Sequence, residues 1–310
     1  MEGKAKVELL EYQVGQPETR EFFKHLKKDG EWVVRDDVWI NYLNRRGNLT
    51  VGFGSPGRIG TELEFGNTVG DHFEEQVLII KTAWGGKSIG RDFRPPSSGL
   101  PSEEKLKQIL QQTNERNKKR NRPEISIDDV KDMYGKFYRE MMKEINATLQ
   151  ELKIRFPEYK GQGCEFAGFV WFQGWNDMFD ADFLANYGKH MANFIRDVRK
   201  DLKSPNLPFV IGQMGQNGPD GASDRMQTIK DAQASMEAIP EFKGNVKVVK
   251  TDVFWDRKAA ELVKNWREHI EEWEKVGSDF GYHYLGSAIT FSKIGRAFGQ
   301  AILELMKAKK

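Results

Sequence analysis

The sequence predicts an α/β fold, on three observations. At least four apolar, strand-like runs are separated by segments of helical periodicity. One of them, Gly168-Phe-Val-Trp-Phe172, lacks polar alternation, as suits a strand covered on both faces, and breaks abruptly into Gln173-Gly-Trp-Asn-Asp177. The 310 residues can bury a substantial core, and no internal repeat or low-complexity linker demands a second domain. Open α/β sheets bind ligands beyond the carboxyl ends of their strands. Residues 173–177 therefore read as an active-site or ligand-site loop, with a structural turn as the alternative.

Residues 1–60 hold short apolar pieces; 31–35 and 37–43 read as excursions over the sheet, and 49–54 as an edge strand. Phe65, Val69 and Phe73 recur at helical spacing after Thr61, ahead of a strand at 76–83. That strand opens into Trp84-Gly-Gly-Lys-Ser88, where paired glycines allow close backbone approach and make Gly85 or Gly86 a candidate N–H donor to an oxyanion. The other reading is an ordinary tight βα turn, and the spacing falls short of a nucleotide phosphate loop. Charged residues 103–121 form an exposed helix. A second helix at 130–152 presents Met133, Phe137, Met141, Ile145 and Leu149 to the sheet.

Past the organising strand, 183–200 is a strong helix with Phe183, Leu184, Tyr187, Met191, Phe194, Ile195 and Val198 as its apolar set, and His190 reads as packed within it. Phe209-Val-Ile-Gly-Gln213 repeats the pattern of apolar strand and polar glycine loop, which makes Gln213 a candidate contact to a polar substrate. A helix at 224–238, a valine-rich strand at 245–251, a charged helix at 257–277 and a last helix at 290–306 follow. Between the last two helices, Asp279-Phe-Gly-Tyr-His283-Tyr is compact enough to set an imidazole at the sheet edge.

Composition removes several function classes. With 48 Lys plus Arg against 46 Asp plus Glu, charge gives no reason to expect nucleic acid as partner, and the basic run 118–122 reads as helix and loop surface. The single cysteine, Cys164, excludes an internal disulfide framework and a cysteine-cluster metal site. Five scattered histidines form no zinc signature, and no run approaches a membrane span or a secretory signal.

Taken together, residues 63–89, 166–177, 208–217 and 281–305 resemble the SGNH-type carbohydrate esterases, particularly sialate O-acetylesterase-like and family 6 acetylxylan-esterase-like proteins. The resemblance implies a three-layer αβα sandwich on a flavodoxin-like parallel sheet and hydrolysis of carbohydrate O-acetyl esters through a serine acyl-enzyme. It implies Gly174-Trp-Asn176-Asp177 as the GxND block, Asn176 as side-chain oxyanion donor, Gly85 or Gly86 as backbone donor, and His283 as catalytic histidine. The family's aspartate lies three residues before that histidine, where this chain has Phe280. Asp279 is the nearest substitute and Asp252 a weaker one. Trp84, Trp175, Tyr282 and Tyr284 are candidates to stack on a sugar, Gln173 and Gln213 to bind its hydroxyls; Trp32 and Trp39 are platform or packing residues.

The family core opens with an apolar strand running into Gly-Gln-Ser-Asn-Met, whose serine is the nucleophile. Here Met1-Glu-Gly-Lys-Ala-Lys matches the continuation from that methionine. The expectation is one esterase domain over 1–310 without its first core strand and serine, with folding and turnover both impaired. An omitted upstream segment is the expected cause; a pseudoenzyme, a noncatalytic carbohydrate-binding module or an excised fragment is the alternative. Ser55 and Ser88 lie outside the expected strand-to-turn block for a replacement nucleophile. The chemistry requires no nucleotide, flavin or metal cofactor, and the expected partner is an acetylated carbohydrate. The resemblance points to an exported protein.

Overall fold

The structure is a computed structural model that describes residues 1–308. In chain order the elements that position the site are α1 (Val7–Gly15), α2 (Pro17–Phe23), β1 (Arg35–Tyr42), β2 (Arg45–Leu49), α3 (Glu62–Gly70), β3 (Val77–Lys81), α4 (Glu103–Lys119), α5 (Lys136–Gln150), β4 (Phe169–Trp171), α6 (Ala181–Asp201), β5 (Phe209–Gln213), α7 (Asp224–Ala234), β6 (Val246–Lys250), α8 (Arg257–Leu262), α9 (Ile270–Val276) and α10 (Ala288–Lys307).

The apolar runs form strands because helices cover both of their faces. On β5, Phe209 and Ile211 enter one cluster with Tyr187, Met191, Phe194, Ile195 and Val198 of α6. Val210 enters the opposite cluster with Phe291, Ile294, Phe298 and Ile302 of α10. The period-2 alternation of the strand meets two helical stripes of period 3.6, which gives the layered α/β architecture. β4, β5 and β6 run parallel, with Phe169 opposite Phe209 and Phe209 opposite Val246.

A second sheet has the order β2-β1-β3, with β1 parallel to β3 and antiparallel to β2. Residues 37–43, expected to pass over the sheet, instead form its central strand. Val38 and Ile40 are fully buried with Leu49, and Trp39 on the other face stacks on Phe156 with ring centroids 4.9 Å apart. The polar interruption that disguises this strand is Asn41, buried yet satisfied by Glu144, Thr148 and Arg155. Trp39 is thus a packing residue, and Trp32 lies beneath the Lys27 ammonium.

Two expected helices are interrupted. The 130–152 pattern divides into Ile127–Met133 and α5 around Gly135, and 257–277 divides into α8, a 3₁₀ turn and α9. α10 packs very close to α3 through Gly295. A β-carbon there would stand 2.2 Å from the Thr61 carbonyl oxygen, so only glycine permits the approach.

The expected parallel sheet is realised as two three-stranded sheets, one wholly parallel and one mixed, and among the described residues no ladder joins β3 to β4. A cavity of about 560 Å³ lies where these strands end, walled by Phe169, Val170 and Trp171 of β4 and by Thr82 to Lys87 beyond β3.

Candidate functional site

Three polar segments, each following a strand or helix, meet at this cavity: Trp84 to Lys87 after β3, Gln173 to Asn176 after β4, and Tyr282-His283 before α10. Their meeting follows from the parallel strands, whose carboxyl ends share one edge. Of the sequence-derived candidates, Trp84, Gly85, Gly86, Gln173, Trp175, Asn176, Tyr282 and His283 all line it.

His283 Nδ1 stands 2.9 Å from Asp279 Oδ1. This contact leaves Nε2 as the ring nitrogen available to a cavity occupant, and a carboxylate on Nδ1 favours the tautomer in which Nε2 is an acceptor. Burial pushes the Asp279 carboxyl up, but the His283 ring, the Phe280 N–H and the Arg58 charge hold it below the usual range. Immediately after the histidine the backbone reverses: Tyr284 and Leu285 both have left-handed φ values, 53° and 59°. Such conformations cost of order 1–3 kcal/mol and need surrounding contacts to hold them. Tyr284 provides them, fully buried, with its hydroxyl accepting from Gly215 N at 2.9 Å and 2.7 Å from Thr251 Oγ1. It is an anchor and cannot stack on a sugar. Asp252, the other acid considered, is paired with Lys230 at 2.7 Å.

Asn176 sits in a 3₁₀ turn, Trp175–Phe179, immediately after the strand-ending glycine. Among the described residues its amide makes no hydrogen bond, and it lines the cavity beside Gly86. A β-carbon on Gly86 would lie 3.7 Å from Asn176 Nδ2, and the Gly86 φ of +70° is one that side chains disfavour. The two glycines differ in availability. Gly85 N donates to Glu2 Oε1 at 2.7 Å, whereas the Gly86 N–H makes no hydrogen bond among the described residues. Burial pushes the Glu2 carboxyl up, but Lys4, the Gly85 N–H and Ser55 together hold it below its ordinary range.

Asp177 holds the first two loops in register. Its fully buried carboxylate accepts from Ile89 N at 3.0 Å, Gly90 N at 2.8 Å and Gln173 Nε2 at 2.6 Å. Burial pushes its pKa up to about 6 against those donors. Gln173 is thereby engaged in architecture, since its amide also donates to Lys87 O at 2.9 Å. The segment from Met1 to Lys6 is fastened by Lys81, whose ammonium reaches Glu2 O, Phe53 O and Glu62 Oε2 at 2.6, 2.8 and 2.8 Å.

Gln213 does not reach the cavity. It is 5% exposed and donates to Lys230 O at 2.9 Å, because the end of β5 turns it under α7. Gln216 stands at the cavity instead, 2% exposed, and among the described residues its Oε1 has no hydrogen-bond partner. The sequence reading singled out Gln213 and missed Gln216, three residues further along the same loop. Gln233, also missed, ties the ends of β4 and β5 together by donating to Gln173 O at 2.8 Å and accepting from Met214 N at 2.8 Å.

Neither serine considered as a nucleophile lines the cavity. Ser88 Oγ donates to Asp92 Oδ2 at 2.9 Å, and Ser55 Oγ to Glu2 Oε2 at 3.1 Å. Among the described residues, the side-chain hydroxyls in its wall belong to Thr82 and Tyr282. Among the described residues no cluster of three or more His, Cys, Asp or Glu could hold a metal ion, and no helix is long and apolar enough to cross a membrane.

Residues 1–260 match the family described as carbohydrate esterase, sialic acid-specific acetylesterase. A probable carbohydrate esterase of Arabidopsis thaliana is 31% identical over 64 residues, 21% of this chain; the match spans a quarter (25%) of that relative's length. The 1.6 Å X-ray structure of that same Arabidopsis thaliana protein shares the fold. Its TM-score is 0.50 at 15% identity, covering 89% of this chain and 88% of that one.

Proposed function

We propose, from the premise that this chain belongs to the carbohydrate esterase family of sialic acid-specific acetylesterases, that its cavity receives an O-acetyl ester of a carbohydrate for hydrolysis. The observation that carries the reading is the convergence of His283, held by Asp279 at 2.9 Å, with the uncommitted Asn176 amide and Gly86 on one cavity.

Ester hydrolysis needs a base for the attacking hydroxyl and donors for the oxyanion that forms on the carbonyl. His283 takes the proton of an attacking water, whose oxygen bonds the acetyl carbon, and returns it to the sugar oxygen as the ester C–O bond breaks and acetate leaves. Asp279 orients the ring and stabilises its cationic form. Asn176 Nδ2 and the Gly86 N–H are the oxyanion donors; Gly85 joins them only if Glu2 releases its N–H. Trp84, Trp175 and Tyr282 frame the sugar, and the unpartnered Gln216 Oε1 accepts from one of its hydroxyls.

The family reaction passes through a serine acyl-enzyme. With Thr82 and Tyr282 as the wall's hydroxyls, this chain is expected to turn over far more slowly than a serine enzyme; in a serine protease, loss of the serine costs about a million-fold. The same observation favours a second reading, a carbohydrate-binding protein that retains the ester pocket without turnover. Acetate release from acetylated xylose and from O-acetylated sialic acid, compared with H283A and N176A, separates the two. Release that requires both residues supports the esterase. Binding without release supports the second reading, and release indifferent to both residues refutes the assigned site.

A further inference from the structure

A second cavity, about 630 Å³, lies on the other side of the loop that carries the histidine, within the range of about 300–1,000 Å³ usual for ligand sites. Asp279, Phe280 and Gly281 form its wall, while Tyr282 and His283 face the ester cavity. The same division holds one loop away, where Gln216 lines the first cavity and Asn217 the second. The far wall comes from the α8 to α9 region, with Trp266 and Trp273, and Trp255 completes it.

The aromatic surface is continuous between the two. Trp175 and Tyr282 lie 5.8 Å apart, and Tyr282 stacks on Phe280 at 5.2 Å with an interplanar angle of 11°. Phe280 is 65% exposed and Trp266 37%, an unusual outlay of aromatic surface beside a polar site. A pyranose ring has an apolar C–H face and a rim of hydroxyls. Indole and phenyl faces suit the first, and Asn217, whose Oδ1 remains open among the described residues while Nδ2 donates to Gly221 O at 3.3 Å, suits the second.

We infer that this second cavity is a subsite for a neighbouring sugar of the same glycan, so that the ligand is an acetylated oligosaccharide and not a lone acetylated sugar. The inference rests on the ester reading of the first cavity. One sugar ring crosses the Tyr282–Phe280 stack, and the next occupies the tryptophan-lined space. Ligand length is therefore registered on the same loop that holds the Asp279–His283 pair.

The test is calorimetric titration of the full chain with two probe pairs: acetylated xylose against acetylated xylotetraose, and O-acetylated sialic acid against O-acetylated sialyllactose. Trp266→Ala removes the exposed indole, and Ala260→Trp fills the space from α8 should the first variant fold poorly. At least one longer probe should bind about tenfold tighter than its short partner, with that gain lost in either variant and short-probe affinity retained. Equal affinity for short and long probes in both pairs, or a gain that survives Ala260→Trp, overturns the subsite while leaving the ester reading intact. Failure of all four probes to bind overturns both.

Discussion

Replacing Asp177 separates the architecture of the site from its chemistry. The carboxylate is fully buried and accepts three hydrogen bonds, two of them from the backbone N–H groups of Ile89 and Gly90. Asp177→Ala leaves those two donors buried without partners, at about 1–3 kcal/mol each, so the loss of stability should be about 2–6 kcal/mol. Asp177→Asn keeps the shape but turns an amide NH₂ towards donors, and should cost about 2–4 kcal/mol.

The cost should also depend on pH in a defined direction. The folded-state pKa of Asp177 is raised to about 6. The stability this group contributes is fully present below the unfolded carboxylate value and is lost as pH rises through about 6. The difference is about two pKa units, or about 3 kcal/mol. Asp177→Asn cannot titrate, so its deficit relative to the parent should be greatest near about pH 4 and shrink towards about pH 7. Urea unfolding at both pH values measures it. A deficit under about 1 kcal/mol at both, or one that grows as pH rises, would refute the buried-clamp reasoning.

Four other outcomes follow from the same contacts. Gly295→Ala should destabilise by about 2 kcal/mol or more in thermal unfolding, because its β-carbon meets the Thr61 carbonyl at 2.2 Å and backbone has to move. Tyr284→Phe should cost about 1–3 kcal/mol by leaving Gly215 N unpartnered, and should disturb the loop bearing His283. In acetate-release assays Asn176→Ala should lower kcat by about 10²–10³ with an unchanged melting temperature, since its amide supports no other residue. Asp279→Ala should lower kcat more than it raises KM, as expected of a residue that orients the base and does not hold the sugar.

Much of the sheet was legible because its strands are apolar on both faces. The runs at β3, β4, β5 and β6 stand out against helices with clear stripes, such as α6 and α10. β1 escaped because Asn41 and the acidic pair Asp36-Asp37 break its pattern, and a buried network with Glu144, Thr148 and Arg155 satisfies the asparagine only in three dimensions. At the site, glycine and amide clusters after the strands marked the loops correctly as neighbours of one cavity. Which amides face it was not legible. Gln173 is drawn into the Asp177 clamp, Gln213 beneath α7, and Gln216 remains, a distinction made by backbone direction at single residues. The commitment of Gly85 to Glu2, 83 positions apart in sequence, likewise has no local signal.

The most direct measurement is a paired titration of the chain with an O-acetylated sugar and with the same sugar deacetylated, repeated in Asn176→Ala. If the acetyl group sits among Gly86, Asn176 and His283, the acetylated partner binds more tightly and the Asn176 substitution erases the difference. Equal affinity for the two sugars, or a difference untouched by that substitution, would place the ester elsewhere and contradict the assignment.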